Sequence, residues 1–278
     1  RSFKTNKMNL IFQYHIYDND HYSEHVKYSV ESFKKYADQY NHKYFFTEEL
    51  FSTTHPVAPS GIRNKFEPYL YFEISRLWMD PVFDKYDQIL YVDTDVIAHE
   101  RAPDIFFVNP THIAGATEMQ LSDKNCIGMP GYDDPRWPEY LETLEIAFIQ
   151  ADAPFVDTKY RFRDSSGIVR NNTKTRILNS GVLLWSKKAR LFARENFMDW
   201  RKWIEIQSSN PITNVPWILL DQIYLAAQIN KYKLDVVELD WKWNTGPHWW
   251  KDRIIPPSFF YHFSGKEQKQ IIDFDYYK

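Results

Sequence analysis

Two aspartates separated by one small residue, Asp93-Thr94-Asp95, carry the most informative chemistry in the chain. They follow Ile89-Leu90-Tyr91-Val92, an unbroken apolar run that reads as a buried strand. Ligands in open α/β sheets bind at the carboxyl ends of strands, and a strand here would deliver both carboxylates to that edge. Such a pair suits a hard divalent cation, Mn²⁺ or Mg²⁺, which takes oxygen ligands and keeps coordination positions open for phosphate oxygens. The same triplet would also serve as a plain turn, where Asp is common.

Four further motifs bear on the choice. Arg76-Leu77 lies on an expected helix just before the aspartate strand. Leu178-Asn179-Ser180-Gly181-Val182 opens another strand with a small, polar corner. Asp221-Gln222 opens a helix, where free backbone N–H groups favour negative charge. Tyr261-His262-Phe263-Ser264-Gly265-Lys266 ends a strand with a possible metal ligand, a glycine turn and a cation.

The elements that position these residues follow from periodicity. Strands are expected at Asn9–Tyr14, Lys43–Phe46, Ile113–Thr117, Ile177–Trp185, Leu234–Leu239 and Ser258–Phe263. Helices are expected at Tyr22–Tyr40, Lys65–Met79 (with Pro81 ending it), Pro138–Gln150, Lys187–Trp203 and Leu220–Ile229. Alternating strands and helices argue an α/β fold, a mostly parallel central sheet with helices on both faces. The 278 residues predict a single domain spanning 1–278, with an irregular insertion at about 118–176 that is rich in Asp, Pro, Arg and Asn.

Composition narrows the function classes. A net charge of −3 offers no basic stripe for nucleic acid. The single Cys126 excludes an internal disulfide framework and a cysteine-based zinc site, and fits a reducing compartment. No apolar run reaches the roughly 18 residues that a membrane span needs, and no signal peptide is visible. A cytoplasmic location is therefore expected, although an anchor upstream of Arg1 would leave no trace. Aromatic residues make up 18 % of the chain, so most rings must be core and a few are left to face sugars or bases.

Arg on a helix, Asp-x-Asp, Asn-Ser-Gly-Val, Asp-Gln and His-x-x-Gly with a following Lys occur here in one order. In that order the chain resembles the GT-A glycosyltransferases, most closely the family 8 group typified by glycogenin and the bacterial lipopolysaccharide galactosyltransferases. The resemblance spans roughly Asn9 to Lys269 and is continuous only around the motifs. It implies a GT-A fold and transfer of a hexosyl unit from a nucleoside diphosphate sugar, UDP-linked, to a hydroxyl of a glycan or other acceptor, with retention of configuration.

Residue by residue, the resemblance implies that Asp93, Asp95 and His262 hold Mn²⁺ (or Mg²⁺). Arg76 would contact the nucleotide-sugar, Asn179 would hold sugar hydroxyls, and Gly181 would allow close backbone approach. Asp221 and Gln222 would sit near the anomeric carbon. Gly265 and Lys266 would face the departing diphosphate. The family places that Lys three residues after the Gly, before Pro-Trp; Gln268 stands there and no Pro-Trp follows, so Lys266 and Lys269 both remain candidates.

Tyr14, with Gln13 and His15 beside it, stands where the fold holds the base and would stack on uracil; core packing is its alternative. Lys65 would reach phosphate or cover its own helix. The Trp-dense stretch Trp241–Trp250 would wall the acceptor site, fill a gap between strands, or do both. Two other functions fit the fold. A sugar-1-phosphate nucleotidyltransferase would need a glycine-rich loop after the first strand, and Tyr14–Asp20 contains no glycine. A silent carbohydrate-binding protein has no use for three intact metal ligands.

Overall fold

The computed structural model describes residues 7–16, 24–51, 68–117, 137–155, 177–246, 257–264, 268 and 271. Strands β1 (Asn9–Tyr14), β2 (Lys43–Thr47) and β3 (Gln88–Val92) form where apolar, β-branched and aromatic residues cluster. β5 (Ile113–Thr117), β6 (Leu178–Ser186) and β7 (Val236–Glu238) complete a six-stranded sheet in the order β2-β1-β3-β6-β5-β7. β1 pairs in parallel with β2 and β3, and β5 in parallel with β7. β6 alone runs against its neighbours β3 and β5, so the sheet is mostly parallel, as expected.

Both faces of the sheet are covered. Leu90 and Val92 face α1 (Glu24–Gln39), which buries Phe33, Tyr36 and Ala37 against them. Ile89 and Tyr91 face the opposite layer, with Leu183 and Trp185. That layer holds α2 (Arg76–Met79), α3 (Trp137–Gln150), α4 (Lys187–Asn196), α5 (Trp200–Ser208) and α6 (Asp221–Lys231). The strand period of two thus sorts the β3 side chains between two cores.

Three expectations need correction. The helix expected over Lys65–Met79 is a 3₁₀ stretch, Pro68–Ser75, followed by the single turn of α2. Its Pro, three aromatics and Ile are poor formers of a regular α-helix, and the tighter winding still buries Ile74, Leu77 and Trp78. Lys65 lies outside the described residues. The helix expected over Lys187–Trp203 is two helices. Phe197 leaves the first to pack among Trp78, Trp185 and Tyr232, and Asp199 caps the second by accepting from the Arg201 N–H. The last strand, β8 (Phe260–His262), is shorter than expected and stands outside the main sheet. It pairs antiparallel with β4 (Val96–Ala98), a three-residue strand too short to show a pattern in the sequence.

Within the expected insertion, α3 is an ordinary packing helix. Leu144, Ala147 and Phe148 are buried, and Gln207 Nε2 donates to the Ala147 carbonyl at 3.1 Å. The rest of that segment, apart from residues 151–155, lies outside the described residues. No helix among the described residues is long and apolar enough to cross a membrane.

Candidate active site

The site grows from the carboxyl end of β3. Val92 pairs with Val182, so the chain leaving β3 lies beside the chain entering β6, and the Asp93 N–H donates to the Gly181 carbonyl at 2.9 Å. A turn at Thr94-Asp95 then leads into β4, where Val96 pairs with His262 on β8. The Phe263 N–H donates to the Asp95 carbonyl at 2.8 Å, which pins β8 to the turn. Two short strands and one turn thereby bring Asp93, Asp95 and His262 together, with a ligand atom of each within 4.8 Å of the others. The sequence-predicted metal ligands converge.

The interior holds the turn from below. Buried Gln13 donates to Ser29 Oγ at 2.9 Å and to the Asp93 carbonyl at 3.2 Å, and the Ser29 hydroxyl donates to the Val96 carbonyl at 2.6 Å. Gln13 is thus structural. His15 Nδ1 is 2.9 Å from the Thr94 hydroxyl, and burial, followed by the neighbouring His25, lowers its pKa to about 4.

Charge at the site is concentrated and half hidden. Burial, then the nearby Asp95 carboxylate, raises the Asp93 pKa, against the opposing pull of His262 and the Tyr91 hydroxyl. Burial also pushes Asp95 up, but His262 and the Gln268 amide bring it below its ordinary value. Gln268 Nε2 donates to Asp95 Oδ2 at 3.1 Å. His262 Nε2 lies 3.2 Å from Asp95 Oδ1, at ion-pair distance, and among the described residues that buried oxygen meets no well-formed hydrogen bond. A buried, unsatisfied carboxylate oxygen next to an imidazole nitrogen is costly unless something else meets it. Two carboxylates and an imidazole are also a donor set that Mn²⁺ or Mg²⁺ accepts. The residues present therefore fit the cation.

Asp221 and Gln222 open α6 against this cluster. Asp221 is 5 % exposed, and burial first, then the Asp93 charge, raises its pKa to about 8. Hydrogen bonds from Ser180 and from the start of its own helix oppose that rise. Leu220, not Asp221, is the helix cap. Gln222 Oε1 accepts from the Ser180 N–H at 3.3 Å, which ties the start of α6 to the corner before Gly181.

Tyr14 and Tyr91 form the floor. Their rings stack at 5.7 Å, the Tyr91 hydroxyl donates to Asp93 Oδ1, and the Tyr14 hydroxyl donates to the Tyr71 carbonyl at 3.2 Å. Burial and the carboxylates of Asp93 and Asp221 hold both phenols well above their ordinary pKa. Arg76 keeps other company. It pairs with Asp80 at 3.1 Å and lies over the rings of Phe45 and Phe51 at 5.7 and 5.4 Å. Gly265, Lys266 and Lys269 lie outside the described residues. In the Trp-dense stretch, Trp243 is a core ring packed on Phe259 and Phe260, while Trp249 and Trp250 lie outside the described residues.

Two residues that sequence reasoning passed over belong to the site. Tyr91 stands two positions before Asp93, and the strand period puts both side chains on one face, a signal that was available. Asn244, wholly buried, bonds to both His262 and Asn179, and nothing local in the sequence marks it.

No protein-family model matches the sequence, and no curated protein matches it. Solved structures do match. A bifunctional glycosyltransferase, WbbM, superposes with a TM-score of 0.54 at 13 % identity, covering 94 % of this chain and 46 % of that one. An active-site mutant of LgtC superposes with a TM-score of 0.50 at 11 % identity, covering 96 % of this chain and 94 % of that one. At such identity the likeness speaks for architecture, and the architecture is that of the GT-A glycosyltransferases.

Proposed function

We propose that the protein is a metal-dependent glycosyltransferase that moves a hexosyl unit from a UDP-linked sugar to a hydroxyl of a glycan or other acceptor, with retention of configuration. One observation carries this reading: His262, distant in sequence from Asp93 and Asp95, converges with them within 4.8 Å at the carboxyl end of β3. In this reading those three residues hold Mn²⁺ or Mg²⁺. When bound, the cation supplies positive charge against the leaving diphosphate.

The chain's own groups do the rest. Asp221, buried beside Asp93, bonds a donor hydroxyl near the anomeric carbon rather than attacking carbon. Gln222, its Oε1 held by Ser180, offers amide N–H groups near the anomeric carbon. Asn179 contributes a further polar contact, and Gly181 permits close backbone approach. Tyr14, Arg76, Gly265 and Lys266, with Lys269 as its alternative, are assigned to the nucleotide and diphosphate by resemblance. The acceptor proton passes to the departing phosphate oxygen on the same face, so no protein base is needed and configuration is retained. In this proposal residues 1–278 form one domain, with the irregular insertion at about 118–176.

Melting the protein with UDP, GDP and CDP, each with and without Mn²⁺, tests the donor. A ligand that binds only the folded state raises the apparent melting temperature. UDP with Mn²⁺ should give the largest rise, and a UDP-hexose should be hydrolysed slowly without acceptor. A larger rise with GDP would overturn the nucleotide assignment; no hydrolysis of any nucleotide sugar would overturn the reaction.

A further inference from the structure

A chain of hydrogen bonds running from the backbone to His262 fixes which ring nitrogen carries a proton. It starts at a donor whose identity is not in question, the Gly181 backbone N–H, which donates to Asn179 Oδ1 at 3.0 Å. That oxygen also lies 2.7 Å from Asn244 Nδ2, and because it is an acceptor, the Asn244 atom facing it must be the amide nitrogen. Asn244 therefore turns its Oδ1 the other way, toward His262 Nδ1 at 2.8 Å. A carbonyl oxygen only accepts, so His262 Nδ1 must carry a hydrogen. In the neutral ring, Nε2 is then the atom with the lone pair, and Nε2 is the atom beside Asp95.

We propose that Asn244 is a positioning residue that locks His262 in the Nδ1–H tautomer and so presents Nε2 as the metal-facing lone pair. This rests on the metal reading above and deepens it. An imidazole ligand is commonly oriented through a hydrogen bond at its second nitrogen, which fixes the tautomer and the ring plane. Here the second partner is a side-chain amide, and that amide is itself oriented by Asn179. The lock is thus shared with the β6 corner. Asn244 is wholly buried, and His262 is nearly so, which leaves water little access to compete for Nδ1. The register reinforces the placement: the Thr245 N–H donates to the Phe260 carbonyl at 3.0 Å and the His262 N–H donates to the Thr245 carbonyl at 2.8 Å, so backbone bonds hold Thr245, the residue after Asn244, against β8.

The test uses the metal-free protein first. Long-range proton–nitrogen NMR correlations of His262, recorded where the ring is neutral, should show hydrogen on Nδ1 in the wild-type protein. Asn244→Leu should shift the ring toward the Nε2–H form and weaken Mn²⁺ binding, read by calorimetry, by about 10- to 100-fold. Asn244→Asp keeps an acceptor for Nδ1–H but loses the donor to Asn179, so it should retain the wild-type tautomer; this guards against Asn244→Leu failing to fold. Hydrogen on Nε2 in the wild-type protein, or an unchanged tautomer in a folded Asn244→Leu variant, would overturn the proposal. A wild-type protein that shows Nδ1–H yet binds no Mn²⁺ would sustain the lock and overturn only the metal reading.

Discussion

Gly181 and His262 are in contact, and the contact leaves no space for a side chain. A Cβ at position 181 would overlap His262 Cε1, come within 2.9 Å of His262 Nδ1 and reach 3.0 Å from Asp93 Oδ2. Glycine here is a requirement of close approach between β6 and the Asp93–Asp95–His262 cluster. The imidazole is held by backbone on one side and by Asn244 on the other, so it has little freedom to yield.

Gly181→Ala should therefore push the His262 ring out of register with Asp95. The expected result is at least a 10-fold loss in Mn²⁺ affinity, from displacement of one ligand with its supporting partners. Calorimetric titration with Mn²⁺ checks it, and circular dichroism confirms that the sheet remains. Wild-type affinity in a folded variant would mean that the ring moves freely.

Tyr91→Phe removes the hydroxyl that donates to Asp93 Oδ1 while keeping the ring that packs between Phe12 and Tyr14. Asp93 would lose the partner that orients it. Mn²⁺ binding should weaken by about 10-fold, at the lower end of effects seen for groups that orient metal ligands. The melting temperature without metal should change by only a few degrees, because the apolar packing survives.

The pH dependence of metal-free stability should report Asp221. Its folded pKa, about 8, lies above the unfolded value of 3.8. The folded state then holds a proton that the unfolded chain has released, so stability declines as pH rises between those values. The limiting slope for one proton is about 1.4 kcal/mol per pH unit. Asp93 is raised as well and adds a decline of the same sign. Urea denaturation at pH 5, 6.5 and 8 should show that Asp221→Asn loses less stability with rising pH than the wild type, whose His15 adds a contribution of opposite sign below about pH 6.5. Equal slopes would place the Asp221 carboxyl in a wetter setting than its burial indicates.

Arg190 tests the scaffold apart from the chemistry. It is 1 % exposed, donates to the Phe83 carbonyl at 2.8 Å and also bonds the Tyr86 carbonyl, anchoring the turn that leads into β3. Burial lowers its pKa to about 10. Arg190→Met would remove the guanidinium from both carbonyls, leaving Phe83 only the Tyr86 N–H, and should cost about 2–3 kcal/mol in urea denaturation. Mn²⁺ binding at moderate temperature should change little, since no ligand is touched.

The convergence of Asp93, Asp95 and His262 was more legible in the sequence than the short elements that produce it. Asp93, Asp95 and His262 were legible because each sits in a short motif at a strand end, where residue type and position act together. β1 and β5 were legible to their end residues because their apolar runs are bounded by polar ones. The β4–β8 pair was not, since three residues are too few for periodicity to emerge. Nor was the 3₁₀ winding of Pro68–Ser75, where packing overrides the helical spacing of the apolar positions. Asn244 was illegible for another reason. Its partners Asn179 and His262 are distant in sequence, and its neighbours Trp241 and Trp243 draw attention to ring packing. Tyr91 was visible but read as core, which its ring is; its hydroxyl is what reaches the site.

The measurement that bears most directly on the central claim is a calorimetric titration of UDP into the wild-type protein with and without Mn²⁺, repeated for Asp95→Ala and His262→Ala. Both variants should fold, as judged by circular dichroism. The account predicts binding in the wild type that requires Mn²⁺ and its loss in each variant. Equal UDP binding with and without Mn²⁺, or wild-type binding in both variants, would contradict it.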